Sequence, residues 1–281
     1  MALSIVTNVA SLNAQRHLVS TQGNLDRSLG RLSSGLRINR AGDDAAGLAI
    51  SENLKAQIRS LSQAERNAND GVSLLQTAEG AMNEISSMLT RMRELSIQSA
   101  TDTVGVIERG FIQAEFSALI TEVDRIADVT QFNSTNLLDG SLTAIEFQVG
   151  IHDTLSDRIS VAVDDMHTTM LGTSAGGPAL SAQSVTTKTG ARAALDVLDQ
   201  AILDISDGRA DIGAVENRLQ VTISNLASAR QNLSAANSRI RDTDMAEETA
   251  NMTRQNILMQ AGVSVLSQAN QIPSLALSLL G

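Results

Sequence analysis

Apolar and small residues recur about every 3.5 positions along residues 50–92 of the 281-residue chain. From Ile50 to Met92 the pattern advances 42 residues in 12 steps, and this period predicts a long helix that supercoils against partner helices. Gly42 followed by Asp43 and Asp44 fits the start of the helix, because carboxylates accept hydrogen bonds from the free N–H groups of a helix N-terminus. The repeating positions are Leu54, Ile58, Leu61, Ala64, Ala68, Val72, Leu75, Ala78, Met82, Ile85, Leu89 and Met92.

The same pattern returns near the other end of the chain, over residues 195–240. Each stretch covers about 50 residues, so each helix would be roughly 75 Å long. Placed antiparallel, the two helices would form a rod that brings both chain termini to one end. The repeating positions are Leu195, Leu198, Ile202, Ile205, Ile212, Val215, Leu219, Ile223, Leu226, Ala229, Leu233, Ala236 and Ile240.

A shorter helix is predicted between the two long ones, starting near Asp102 or Thr103. The period then changes to two after an Asp-Gly turn at 139–140, which predicts short strands in a β-hairpin region at about 137–165. Residues 166–190 show no period and are rich in Thr, Ser and Gly, which predicts a surface loop. The helix face comprises Ile112, Phe116, Leu119, Val123 and Ile126, and the alternating positions are Ile145, Phe147, Val149, Ile159, Val161 and Val163.

Both ends of the chain are apolar along one face and weakly complementary in charge. Residues 1–45 carry five Arg and three Asp, whereas residues 240–281 carry two Arg and four acidic residues. A pair of such arms cannot bury all the apolar surface that it exposes, because two helices provide no third wall. Fraying ends would be one explanation. Tails that stay disordered are usually polar, so we favour arms that become buried when copies assemble.

Composition argues against a conventional globular core and against several classes of function. The net charge of −10 opposes nucleic-acid binding, and the absence of cysteine excludes disulfides and thiolate metal sites. No basic leader precedes the first apolar residues, and no apolar stretch reaches the length of a membrane span. The four aromatic residues are expected to pack together at the outer end of the rod, and they are Phe111, Phe116, Phe132 and Phe147.

Catalytic motifs are absent from the sequence, which contains no phosphate-binding loop, dinucleotide fingerprint or zinc-protease motif. The three histidines, His17, His152 and His167, have no carboxylate or serine at a suggestive spacing. We therefore predict a protein that is not an enzyme and that holds neither metal nor cofactor. A pocket that joined two histidines, or a histidine and a carboxylate, would favour the enzyme class instead.

Three long segments resemble bacterial flagellin, the subunit of the flagellar filament. They are SLNAQRHLVSTQGNLDRSLGRLSSGLRINRAGDDAAGLAISENLKAQIR near the start, LTRMRELSIQSA in the middle, and SRIRDTDMAEETANMTRQNILMQAGVSVLSQANQIPSLALSLLG at the end. The resemblance spans about the first 140 and the last 90 residues. The outer variable domains that many flagellins insert between these ends are missing, so the chain looks like a short form of the family.

The resemblance implies a mainly α fold: a long antiparallel coiled-coil helix bundle with a small β-hairpin region and paired terminal helices. The terminal helices, residues 1–45 and 240–281, would form an inner-tube domain, and residues 46–239 the surrounding outer-tube domain. Self-assembly is expected to bury apolar residues of the two arms. They are Leu12, Leu25, Leu29, Leu32, Met259, Val263, Leu266, Leu279 and Leu280.

The resemblance also implies a secreted protein that the flagellar type III apparatus exports into the extracellular filament used for motility. Its partners would be other copies of the chain, a flagellin export chaperone, and the filament cap and hook-junction proteins. Flagellins are often bound by Toll-like receptor 5. The residues here that match the recognition pattern are Arg91, Leu95, Gln98 and Glu115, while Thr90 stands where the family usually has Gln.

A signalling coiled coil of the chemoreceptor type is the alternative from another class. It would also be acidic, rich in Ala and patterned in heptads, but it predicts a continuous heptad through a central hairpin tip. This chain breaks into strands and a loop at its middle instead, which favours the filament subunit.

Overall fold

The computed structural model describes residues 7–142, 144–174 and 176–278, with side chains described up to residue 271. The chain divides into two compact units, one drawn from Met1–Ile58 and Gln231–Gly281 and the other from Arg59–Arg230. None of the described helices has the length and mean hydropathy needed to cross a membrane. The helices are α1 Val9–Ser34, α2 Ala45–Ser99, α3 Val106–Val129, α4 Lys188–Arg241 and α5 Met245–Ser278, and the strands are β1 Gln131–Phe132, β2 Thr135–Asn136, β3 Ile145–Gln148 and β4 Arg158–Val161.

Helices α2 and α4 are the two long helices that the 3.5-residue pattern predicts. Ion pairs between them fix an antiparallel arrangement in the unit Arg59–Arg230: Arg93 pairs with Asp199 at 2.6 Å, and Arg230 pairs with Glu65 at 3.4 Å. The predicted positions of α2 form the core of this unit, fully buried at Ala68, Leu75, Ala78, Met82, Ile85, Leu89 and Met92. The mainly α prediction is confirmed.

Helix α3 begins a few residues later than the sequence predicts, at Val106 instead of near residue 102. Gly105 takes the N-cap position, and Arg109 closes the turn before it by donating from Nε to the carbonyl oxygen of Ser99 at 3.0 Å. Polar Asp102 and Thr103 therefore lie in the connection and not in the helix. The predicted face is otherwise correct, with Ile112, Phe116 and Val123 buried against the core.

The predicted strands form one antiparallel pair, β3 with β4, in which Phe147 lies opposite Ile159. Phe147 lies over Gly71, where an added Cβ would come within 3.0 Å of the ring. The Asp-Gly turn precedes this pair and does not connect its strands. Hydrogen bonds from Ser141 and Asn136 lower the pKa of Asp139 in that turn to about 2.

A second strand pair, β1 with β2, was not predicted. Its turn consists of Asn133 and Ser134, both with positive φ (49° and 63°). A tight two-residue hairpin requires this backbone, and Asn tolerates it. Strands of two residues leave too few alternating positions to produce a sequence pattern.

The surface loop expected at 166–190 differs from the structure in two ways. Helix α4 already starts at Lys188, and the preceding segment is partly in the core, with Leu180 and Thr168 completely buried. The segment is rich in Thr, Ser and Gly, but it also contains four buried apolar residues at irregular spacing, called anchors here. The anchors are Met166, Leu171, Leu180 and Val185, each at most 2 % exposed.

In the unit formed by Met1–Ile58 and Gln231–Gly281, backbone hydrogen bonds join the segments that follow α1 and α4. Gly35 ends α1 with φ of 71°, a left-handed cap that glycine adopts without strain. The N–H of Arg37 then donates to the carbonyl oxygen of Arg241 at 2.7 Å, and the N–H of Thr243 donates to that of Gly35 at 3.0 Å. The chain is thus irregular at 35–44 and 242–244, where the sequence predicts the limits of the terminal arms.

Candidate assembly surfaces

Helices α1 and α5 pack antiparallel along a narrow heptad seam. The Asn8 side chain donates to the carbonyl oxygen of Ala269 at 2.8 Å, and Arg31 lies 3.6 Å from Glu248 at the other end of the pair. Apart from Arg31 and Asn251, the less exposed residues follow a 3-4 alternation on each helix. They are Ser11, Ala14, Leu18, Thr21, Leu25, Ser28 and Leu32 on α1, and Glu248, Met252, Gln255, Met259, Gly262, Leu266 and Ala269 on α5.

Small and polar residues fill half of this seam, so the helices approach closely but bury little apolar area. Leu18 packs over Gly262, where an added Cβ would lie 3.5 Å from the leucine side chain. Only Ser11, Leu25 and Ser28 are classed as buried on α1. Since hydrophobic stabilisation scales with buried apolar area, the seam holds the two helices weakly.

A second set of apolar residues on the same helices points away from the seam. Leu12 and Val19 are 51 % and 73 % exposed, and they line a shallow groove of about 490 Å³ with Gln15 and Arg16. Among the described side chains, the exposed large apolar residues of this pair are Val9, Leu12, Val19 and Leu29 of α1, and Met245, Ile257, Leu258, Val263 and Val265 of α5. Such a surface is suited to cover another helix pair of the same kind.

The residues predicted for self-assembly fall into two groups in the structure. Leu12, Leu29 and Val263 are about half exposed and face outward, whereas the other four described ones lie in the seam between α1 and α5, namely Leu25, Leu32, Met259 and Leu266. Leu279 and Leu280 lie outside the described residues. The sequence signal did not separate the groups, because both faces of each helix carry leucine or valine.

The residues predicted for receptor recognition come together on α2 and α3. Arg91 lies 2.8 Å from Glu115 and 2.9 Å from Glu94, and hydrogen bonds to Glu94 and Glu115 raise its pKa above the ordinary value. Gln98 is exposed, whereas Leu95 is only 1 % exposed and packs in the core. Arg91, Glu115 and Gln98 are therefore available to a partner, and Leu95 supports them from below.

One histidine does lie against carboxylates, the arrangement named above as favouring an enzyme. His167 is 2.5 Å from Asp165 and 3.1 Å from Asp128. The neighbouring Thr168 hydroxyl donates to Asp124 at 3.0 Å and not to the imidazole. Across the described ranges, no group of three or more His, Asp or Glu side chains could hold a metal ion.

These features are typical of a helical structural subunit whose terminal helix pair exposes an apolar surface that is available to other copies. Two family models match the chain, "Bacterial flagellin N-terminal helical region" over residues 5–143 and "Bacterial flagellin C-terminal helical region" over residues 195–280. The chain belongs to the bacterial flagellin family.

Similar proteins agree with this assignment. The chain is 46 % identical to a flagellin of Halalkalibacterium halodurans over 97 % of its own length and 98 % of that protein. It is 43 % identical to a flagellin of Bacillus subtilis, again over 97 % and 98 % of the two chains. A solved structure described as a flagellar hook-associated protein of Vibrio parahaemolyticus shares the fold, with a TM-score of 0.60 at 13 % identity over 71 % of this chain and all of that one.

Membership of the family settles the broad function. The chain is a structural subunit that self-assembles into the homopolymeric flagellar filament, and the family is structural and not enzymatic. The comparisons give no support to a signalling coiled coil. The family matches stop on either side of residues 144–194, which agrees with a short flagellin that lacks a variable domain.

Proposed function

We propose that α1 and α5 assemble as the inner-tube domain of the filament, spanning about residues 1–45 and 240–281, with residues 46–239 as the outer-tube domain. The observation that carries this proposal is the second, outward apolar face of the terminal helix pair. Burying that face against neighbouring copies supplies stabilisation of about 25 cal/mol per Å² of apolar area. This burial offsets the entropy lost when the arms become ordered.

Repetition of one unlike-to-unlike contact gives an open helical polymer, because contacts that do not close into a ring continue indefinitely. The outward residues Leu12, Leu29 and Val263 would contact other copies directly. Leu25, Leu32, Met259 and Leu266 would act one step earlier, by holding α1 and α5 together so that the outward face is complete.

An aspartate at Val263 tests the proposal. Val263 is 54 % exposed, so the charge leaves the isolated monomer folded but has no partner in an assembled tube. We expect Val263→Asp to abolish filament growth from seeds, as seen by electron microscopy, while its monomer keeps the wild-type circular dichroism. Ser264→Asp is the matched control, since it adds the same charge one position away at an exposed polar site. Normal filaments from Val263→Asp would contradict the proposal.

The remaining partners follow from the same assignment. The filament would be extracellular, reached by export through the flagellar type III apparatus. An export chaperone would cover the apolar α5 before assembly, and the cap and hook-junction proteins would contact the two ends of the filament.

Toll-like receptor 5 is proposed to bind the monomer through Arg91, Gln98 and Glu115, with Leu95 supporting the surface from the core. In the filament this surface is expected to face a neighbouring copy, so recognition would be of released monomer. Arg91→Asp reverses the central charge and is expected to reduce receptor signalling by monomer about tenfold or more. Arg93→Asp is the control on the same helix, because Arg93 pairs with α4 instead. Equal signalling by the two variants would contradict this site.

A further inference from the structure

An apolar patch lies at the start of α3 in the unit Arg59–Arg230. Val106, Ile107 and Phe111 are 78 %, 73 % and 73 % exposed, although the sequence pattern placed Phe111 with the packed aromatic residues. Phe116, one turn and a half further along the same helix, is fully buried instead. Three large side chains this exposed on neighbouring turns form a patch that favours a partner over water.

A groove of about 720 Å³, lined by both apolar and polar side chains, lies in the same unit beside the β3–β4 pair and α4. Its floor includes Leu61, Ile159 and Leu226, each between 6 % and 9 % exposed, while Leu155 and Val221 at its edge are 87 % and 71 % exposed. The edge residues are as poorly covered as those of the patch. The groove can therefore accept inserted apolar side chains.

The patch and the groove lie at opposite ends of the unit Arg59–Arg230. Arg109 lies between Ile107 and Phe111 in the sequence, and its side chain donates a hydrogen bond to the carbonyl oxygen of Ser99 at the C-terminal end of α2. Leu61 in the groove lies 38 residues earlier on the same helix, which is about 57 Å at 1.5 Å per residue. One copy cannot bring its own patch to its own groove, but two copies placed head to tail can.

We propose that the patch of one copy, Val106, Ile107 and Phe111, inserts into the groove of the next copy, beside Leu155 and Val221, as a longitudinal contact of the filament. This inference rests on the assembly of copies into a filament and adds to the contact of the terminal helices. The same contact repeats at every step, since each copy carries both surfaces and uses a different one toward each neighbour.

Charge supports this choice of partner. Glu108 is exposed within the patch and Arg218 is exposed at the groove. Neither carries an ion pair within the described residues, whereas the other cation lining the groove, Arg158, is paired with Glu146 and Asp153. A head-to-tail contact places an acid of one copy near a free base of the next, which favours this orientation over patch-to-patch pairing.

The cysteine-free sequence allows a direct test. Filaments of the double variant Ile107→Cys/Val221→Cys are treated with a short bifunctional maleimide and separated under denaturing conditions. We expect a ladder of covalent multimers, because each copy would be linked to the one before and the one after it. Linkage within one copy is excluded by distance. Val221 lies beyond Glu216, which is hydrogen-bonded to Gln76 of α2, and Gln76 is 23 residues before Ser99, roughly 35 Å along the helix. The matched control, Ile107→Cys/Leu203→Cys, places its second cysteine at an exposed residue outside the groove and should give no ladder.

Charge exchange provides the second arm of the test. Glu108→Arg and Arg218→Glu should each slow seeded elongation about tenfold, and the double variant should recover most of the wild-type rate. A ladder from the Val221 pair together with this recovery supports the contact. Normal filaments without a ladder, or without any effect of the charge changes, would overturn it while leaving the filament function intact. A wild-type chain that forms no filament would refute the assembly of the chain itself.

Discussion

At the scale of single residues, His167 ties the irregular segment before α4 to the end of α3. Its ring lies between Asp165 of its own segment and Asp128 of α3, and the adjacent Thr168 N–H donates to Asp124 at 2.8 Å. Burial on its own would lower the pKa of His167, but the hydrogen bonds to Asp165 and Asp128 outweigh it and raise the pKa above 6.5. The folded state therefore prefers the protonated ring.

This preference makes stability depend on pH in a definite direction. A group whose pKa is raised on folding contributes stability in full below its unfolded pKa, about 6.5, and loses it as pH rises through the folded value. We expect the thermal midpoint of the monomer to fall as pH increases from 6 to 8. His167→Gln should remove that slope, whereas His152→Gln, at an exposed position, should retain it. Parallel slopes in all three proteins would refute the role given to His167.

At the scale of secondary-structure elements, α1 and α5 depend on each other more than α2 and α4 do. The long helices bury a series of apolar residues, from alanine to leucine, isoleucine and methionine, in the core of the unit Arg59–Arg230. The terminal pair instead alternates leucine and methionine with small or polar residues. Isolated helices gain little from propensity alone. We therefore expect the terminal pair to have a lower local stability in the monomer than α2 and α4.

Leu266→Asp tests the seam of this pair. Leu266 is partly buried between α1 and α5, so an unpartnered charge there should separate the two helices at a cost of several kcal/mol. The monomer should lose helical circular dichroism and fail to polymerise, while the unit Arg59–Arg230 keeps its thermal transition. Leu266→Met should change neither property by much. A fully helical Leu266→Asp monomer would show that Leu266 does not hold the pair.

The sequence predicts elements well where one periodic face decides the packing. In α2 and α4 every third or fourth residue is apolar and meets the same core, so the period alone locates both helices. The Asn133–Ser134 hairpin has no such face. The segment before α4 contributes four residues to the core at irregular spacing, namely Met166, Leu171, Leu180 and Val185. Those features depend on tertiary contacts that no local pattern records.

The sequence predicted which residues take part in self-assembly, but not on which face of the helix each residue lies. Leu12 and Leu25 are 13 positions apart, which at about 100° per residue places them roughly 140° apart around α1. The sequence could not decide which one meets α5, because serine and glycine occupy much of the seam and apolar residues occupy much of the outer face. The prediction that Phe111 packs with the other aromatic residues was also wrong. An aromatic residue beside a core helix face usually packs inward.

At the scale of the whole molecule, the chain is a flagellin whose described residues include three uncovered apolar surfaces. They are the outward face of α1 and α5, the patch at Val106, Ile107 and Phe111, and the groove at Leu155 and Val221. Soluble monomers rarely expose so many large apolar side chains without a partner. In the proposed filament, copies of the same chain would cover all three surfaces.

Hydrogen exchange of monomer and filament, compared peptide by peptide, tests this account most directly. We predict that amides of residues 7–34 and 245–271 exchange more slowly in the filament than in the monomer, on the order of tenfold or more, since assembly would complete their burial. The core of α2 over residues 68–92 should change little. Equal protection of both terminal helices in monomer and filament would contradict the claim that they are completed by neighbouring copies.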